Sequence, residues 1–133
     1  MIWPMAKIIQ PRPTDGELEI LRVLWQRGDS TVRDVYDALS KTRPLGYTTV
    51  LKMMQIMADK GLVSRDEDQR AHVYSVRVPQ EQTQRQMVRD LLRSAFNDSA
   101  SQLVMQALAS RKTSSKELAQ IRQLLDAYDR GDQ

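Results

Sequence analysis

Between Thr14 and Gly61 the sequence encodes three short helices, each fenced by its own start and stop signals, and directly after Gly61 its period turns from helical to extended. Few folds accept that order. Thr14-Asp-Gly-Glu17 has the spacing of a capping box, in which a hydroxyl and a carboxylate satisfy the free amides of a helix start. Leu18, Leu21, Leu24 and Trp25 then recur at helical spacing, and Gly28 supplies a stop after Arg27. Asp29-Ser30-Thr31 offers a second cap, and Val32, Val35, Ala38 and Leu39 form a short amphipathic stretch that ends before Pro44. The third helix follows and closes at Lys60-Gly61.

That third helix is two-faced. At roughly 100° per residue, Val50, Met53, Met54 and Met57 gather on one side, and Thr48, Lys52 and Gln55 lie opposite. No acid occurs between Asp37 and Asp59, whereas Lys41, Arg43 and Lys52 all fall in that window. A surface meant for a polyanion has this character, and the segment reads as a DNA recognition helix. Three short helices with a basic third suggest a helix-turn-helix module.

Beyond Gly61, Leu62-Val-Ser-Arg-Asp66 and His72-Val-Tyr-Ser-Val-Arg-Val78 are rich in β-branched and aromatic residues, with the polar run Glu67-Asp-Gln-Arg70 between them. This predicts a hairpin, and a hairpin directly after a recognition helix is a wing. Arg70, His72 and Arg77 lie in an acid-free stretch between Asp68 and Glu81, which suits contact with a sugar-phosphate backbone.

Pro79 opens a region of helical composition, so the economical organisation is a flexible arm over 1–13, a winged-helix domain over 14–78 and a helical domain over 79–133. In the last, Met87, Val88, Leu91, Leu92 and Ala95 form one apolar stripe, Leu103, Val104, Ala107 and Leu108 a second, and Leu118, Ile121, Leu124, Leu125 and Tyr128 a third. Ser114-Ser-Lys-Glu117 has capping-box spacing at the start of the last helix. About fifty residues in three amphipathic helices make a poor independent core. Pairing with a second copy buries such stripes, which makes this region a dimerisation module carried by Leu91, Leu103, Leu118, Ile121 and Leu125.

Composition narrows the classes further. The 133 residues suit one domain or two small ones, and a net charge of +3 is compatible with nucleic acid without pointing to it alone. The absence of cysteine rules out disulfides and thiolate metal sites and suits a reducing, cytoplasmic setting. A single histidine, His72, builds no metal site by itself, and no metal or cofactor is expected. No apolar run approaches the roughly 18 residues that span a bilayer, so no membrane insertion is expected. The arm, broken by Pro4, Pro11 and Pro13 and lacking a charged start, does not read as a secretory signal. Catalysis needs a nucleophile beside a base, paired carboxylates in a cleft or a metal cluster, and none of these is written here.

In their order and spacing, Glu17-Leu-Glu-Ile-Leu-Arg-Val-Leu-Trp25, Thr31-Val-Arg-Asp-Val35, Tyr47-Thr-Thr-Val-Leu51 and Asp59-Lys-Gly-Leu-Val63 resemble the BlaI/MecI/CopY family of penicillinase-repressor-type regulators over the first 78 residues. The resemblance implies a homodimeric winged-helix repressor, mainly α with a small β-hairpin wing, that binds a palindromic operator in double-stranded DNA and associates with the bacterial nucleoid when bound. It also implies a switch. In the penicillinase branch repression is relieved by cleavage of an Asn-Phe bond downstream of a membrane sensor protease. Here Gln106-Ala107 stands where that bond would be, a departure from the pattern. The copper-responsive branch senses metal through a cysteine-rich motif, which this sequence lacks.

On the recognition helix, Thr48 and Thr49 occupy the end that reads bases, with a hydroxyl for hydrogen bonding and a methyl for thymine. The bland rival for Thr48 is a cap on its own helix. Lys52 reaches guanine or phosphate, or is a solvated lysine; Gln55 pairs with adenine or reaches only the backbone. Lys41 and Arg43, before the helix, suit phosphate. Tyr47 is ambiguous, with a ring suited to packing inside while its hydroxyl meets a phosphate, and Arg70 is a DNA contact or a turn residue. The methionines and Trp25 read as core. Against the repressor stands a winged helix that docks a protein, for which Leu51 and Ile56 leave room.

Overall fold

The structure is a computed structural model that describes residues 12–131, so most of the arm expected over 1–13 lies outside the described residues. Among the described residues nine elements follow in order: α1 (Asp15–Arg27), β1 (Ser30–Thr31), α2 (Val32–Leu39), α3 (Tyr47–Lys60), β2 (Val63–Asp66), β3 (Val73–Val76), α4 (Gln80–Ala95), α5 (Ala100–Ser110) and α6 (Ser115–Asp129). The chain divides into two compact units, the first reaching Met87 and the second beginning at Val88. Sequence reading draws a boundary near residue 79. The first unit runs further and takes in the start of α4, where Thr83 is buried; just before it the Trp25 indole Nε1 donates to the Val78 carbonyl at 3.1 Å.

Local chemistry sets the helix ends. At α1 the Thr14 hydroxyl accepts from Glu17 N–H at 3.2 Å, and the Glu17 carboxylate accepts from Thr14 N–H at 2.9 Å, a complete capping box. At α2 the cap is Thr31, reciprocated by Asp34 at 3.0 and 3.1 Å. The Asp34 carboxyl is held below its usual range first by the Thr31 N–H, against a burial contribution that raises it, with the Thr31 hydroxyl and Arg27 adding to the lowering. At α6 the Ser114 hydroxyl accepts from Glu117 N–H at 3.1 Å. Helix α3 ends at Gly61, whose φ of 84° is the left-handed region that a side chain resists.

The core of the first unit is continuous. Ile20, Leu21 and Leu24 from α1, Val32, Val35 and Leu39 from α2, and Val50, Met54 and Met57 from α3 close around Leu62, Val63 and Tyr74. Met53 and Trp25 are only partly buried and pack against its edge. Each fully buried aliphatic side chain contributes on the order of 1.5–3 kcal/mol.

The wing is a hairpin with Val63 opposite Val76 and Asp66 opposite Val73. Its strands are shorter than the sequence suggests, and β3 has a second partner. Ser30 pairs with Tyr74 and Thr31 with Val73, giving a three-stranded antiparallel sheet in the order β1-β3-β2. Sequence reading takes Ser30 and Thr31 as capping residues alone; Thr31 both ends a strand and caps α2. The second unit contains the second half of α4 with α5 and α6, and no residue of α5 or α6 is buried. Asn97 and Asp98, at φ 50° and 61°, make the turn between α4 and α5, a conformation these two residue types tolerate.

Candidate nucleic-acid interface

Helix α3 presents Val50, Met54 and Met57 to the core, which leaves Thr48, Thr49, Lys52 and Gln55 exposed on its outer side. The helix N-cap is Gly46, with no side-chain hydrogen bond, and Thr48 lies inside the helix. The capping role considered for Thr48 is therefore overturned. Its hydroxyl is free to face a ligand. The first turn of α3 carries no acid, which keeps its positive dipole end unopposed.

Lys41 and Arg43 both lie exposed in the turn before α3. Arg43 is engaged, its guanidinium pairing with the Glu19 carboxylate on α1. Among the described residues no acid pairs with Lys41, Lys52 or Arg70. Tyr47 resolves its own ambiguity. It remains 39% exposed, and its ring meets Tyr36 of α2 edge-on, with centroids 5.6 Å apart at 70°. It is neither a core residue nor a free one.

A groove runs between α3 and the wing. Tyr47, Leu51 and Gln55 form one wall and Arg65, Arg70 and His72 the other, and no acid lines it. Tyr47, Gln55 and Arg70 are thus brought to one place. Thr48, Thr49, Lys52, Lys41 and Arg43 are not part of that groove. Two cations there escape sequence reading. Arg33, from α2, sits 5.0 Å from the Tyr47 ring centroid and 5.6 Å from that of Tyr36. Arg65, from β2, hydrogen bonds the Glu67 carboxylate at 2.8 Å. Hydrogen bonding first to the Tyr74 side chain and then to Glu67 raises the Arg65 pKa and holds it charged. Neither arginine stands out in the sequence, because their roles depend on α2 and β2 folding back beside α3.

In the second unit Leu91 and Leu125 are exposed, and Leu103, Leu118 and Ile121 are half-buried. Gln106 and Ala107 are exposed but lie inside α5. Among the described residues no group of histidine, cysteine or carboxylate side chains could hold a metal, and no helix is long and apolar enough to cross a membrane.

Three helices followed by a hairpin, with exposed Lys52 and no acid in the first turn of the third helix, define a winged-helix protein. The sequence profile described as penicillinase repressor matches residues 13–127, and the chain belongs to that family, one of transcriptional repressors rather than enzymes. It is 44% identical over 72 residues to the transcriptional regulator BlaI of Mycobacterium tuberculosis, a match spanning 53% of this chain and 51% of that protein. The chain thus spans about half the length of that relative. Against the penicillinase repressor of Bacillus licheniformis it is 24% identical over 124 residues, 93% of this chain and 95% of the other. Among solved structures it is similar to the monomeric form of B. licheniformis BlaI in complex with the blaP half-operator. There the identity is 26%, the TM-score 0.49, and the coverage 55% of this chain and 89% of that one.

Proposed function

We propose that this chain is a dimeric, sequence-specific DNA-binding repressor of transcription acting in the cytoplasm on a palindromic operator. The observation that carries the reading is the outer side of α3, where Thr48, Thr49, Lys52 and Gln55 are exposed together without an acid in the helix's first turn. Thr48 and Thr49 read base edges in the major groove, Lys52 takes guanine or a phosphate, and Gln55 takes adenine or the backbone. Lys41 and Arg43 hold phosphates before the helix, Tyr47 offers its hydroxyl at the helix start, and Arg70 holds the backbone from the wing. For Arg43 this means exchanging the Glu19 carboxylate for a phosphate. Residues 14–78 form the DNA-binding domain. Residues 79–133 bring two copies together through Leu91, Leu103, Leu118, Ile121 and Leu125, so that two α3 helices address half-sites roughly 10 base pairs apart or a simple multiple of that.

A membrane sensor protease, or a protease downstream of it, relieves repression by cutting near Gln106-Ala107. Because that bond lies inside α5, cutting requires the helix to open locally. Genomic footprinting with the purified chain tests the central reading. A protected palindrome whose occupancy falls steeply with salt is the expected result. Absence of any protected site transfers the weight to a protein-docking module, for which the exposed Ile56 on α3, at 45%, is the supporting feature.

A further inference from the structure

The groove between α3 and the wing holds more positive charge than the outer side of α3, yet nothing in the recognition of base edges requires it. Its cations come from three separate elements: Arg33 from α2, Arg65 from β2, and Arg70 from the wing tip beside His72. Between them the lining mixes apolar side chains, Val32, Leu51 and Ala71, with the polar Thr31 and Gln55 and the rings of Tyr47, His72 and Tyr74, and it contains no acid that would repel a phosphate. From this arrangement we infer that the groove is a track for one DNA sugar-phosphate strand and that Arg33 is its central phosphate contact, positioned by Tyr36 and Tyr47. The inference rests on the DNA-binding reading and extends it to a residue outside both the recognition helix and the wing.

Geometry makes Arg33 the pivotal cation. Its guanidinium lies over the Tyr47 ring at 5.0 Å and the Tyr36 ring at 5.6 Å, and those rings meet edge-on. A guanidinium held against aromatic faces keeps its N–H edge pointing outward and loses little freedom when it meets a phosphate. Competition from acids is weak. The nearest carboxylate is Asp37, one helical turn along α2 at 4.0 Å, and both side chains are more than half exposed. Such a pair is worth little in water and yields readily to a phosphate. Arg65, by contrast, is already engaged by Glu67 and Tyr74 and serves as a fixed charge on the opposite wall. Tyr47 also begins α3, so the cluster ties the position of Arg33 to that of Thr48 and Thr49 at the reading end of the helix.

The probe is the duplex that the full-length wild-type chain enriches from a random-sequence library, with binding followed over a range of salt. A phosphate contact and a purely structural prop then separate. If Arg33 touches phosphate, Arg33→Ala weakens binding about tenfold and makes the slope of log affinity against log salt shallower by about one. Arg33→Lys, which keeps the charge but not the planar stacking, retains the wild-type slope at intermediate affinity. Tyr36→Leu weakens binding in the wild type and has no further effect in the Arg33→Ala background. An Arg33→Ala variant with an unchanged slope overturns the assignment, whether or not its affinity falls, because a prop alters affinity without releasing fewer counterions. Should the alanine variant melt early, Arg33→Gln repeats the slope measurement on a folded protein. Failure of the wild type to enrich any sequence defeats the DNA reading itself, an outcome distinct from an unchanged slope.

Discussion

The Lys60 ammonium, at the last residue of α3, lies 2.7 Å from the Glu17 carboxylate in the first turn of α1, and the same Glu17 oxygen accepts from Thr14 N–H at 2.9 Å. One nearly buried carboxylate therefore closes a helix cap and fastens α3 by its far end. Burial raises the pKa of Glu17, but hydrogen bonds from Lys60 and Thr14 and the charge of Lys60 outweigh it, and the net shift is downward. A depressed carboxyl pKa stabilises the fold at every pH above the unfolded value of 4.5 and loses that contribution as pH falls through the folded value. Glu17→Gln should cost about 1–2 kcal/mol at neutral pH, because it keeps an acceptor for Thr14 and loses the charged bond to Lys60. Melting curves of the two proteins should converge as pH falls from 4.5 through the lower folded value. A difference that persists unchanged to low pH would show that Glu17 acts through packing alone.

Two glycines should answer oppositely to alanine. Gly61 holds φ 84°, so Gly61→Ala should destabilise by about 1 kcal/mol or more. Gly16 lies inside α1, where alanine gains up to about 1 kcal/mol of helix propensity. The new Cβ would stand 2.7 Å from Met53 Cε, the mobile end of a flexible side chain, which can turn aside at small cost. Urea titration should therefore show Gly16→Ala within about 0.5 kcal/mol of wild type and Gly61→Ala clearly below it.

Lys52→Ala should weaken binding to the enriched duplex about tenfold and make its salt slope shallower by about one. Lys52 is exposed, so the variant should melt with the wild type. Fluorescence anisotropy at several salt concentrations measures both quantities. Unchanged binding would remove Lys52 from the interface.

Leu91 is 45% exposed and Leu125 61% exposed, so a charge at either position meets water in a single chain. Leu91→Glu combined with Leu125→Glu should leave the folded monomer intact and abolish self-association, since the same charges would be buried between two copies. Sedimentation equilibrium reads the mass directly. A dimer that survives both changes places the contact elsewhere.

Much of this architecture is legible in the residue order because its signals are local. Thr14 with Glu17, Thr31 with Asp34, and the stops at Gly28 and Gly61 each act over three or four residues, and a capping box or a left-handed glycine needs no distant partner. The apolar repeats of α1, α2 and α3 likewise announce which side is buried, and Leu21, Leu24, Val35, Val50 and Met54 are buried as that spacing predicts. In α1, however, the fully enclosed Ile20 goes unread, and Leu18 and Trp25 are only partly buried. At Thr48 only the rival reading of a cap fails, because the cap is Gly46 and Thr48 lies inside the helix.

What the sequence determines by itself is the succession of helices and hairpin, much of the core, and the acid-free stretch from which α3 begins. Tertiary structure alone decides that β1 joins the wing at Tyr74, that Glu19 engages Arg43, that Lys60 reaches Glu17, and that Arg33 lies against Tyr47. The physical reason is separation along the chain. Caps and hydrophobic periods are satisfied by near neighbours, whereas these contacts join residues from different elements, and only packing of the core fixes the distances at which a charge meets a ring, a carboxylate or a strand.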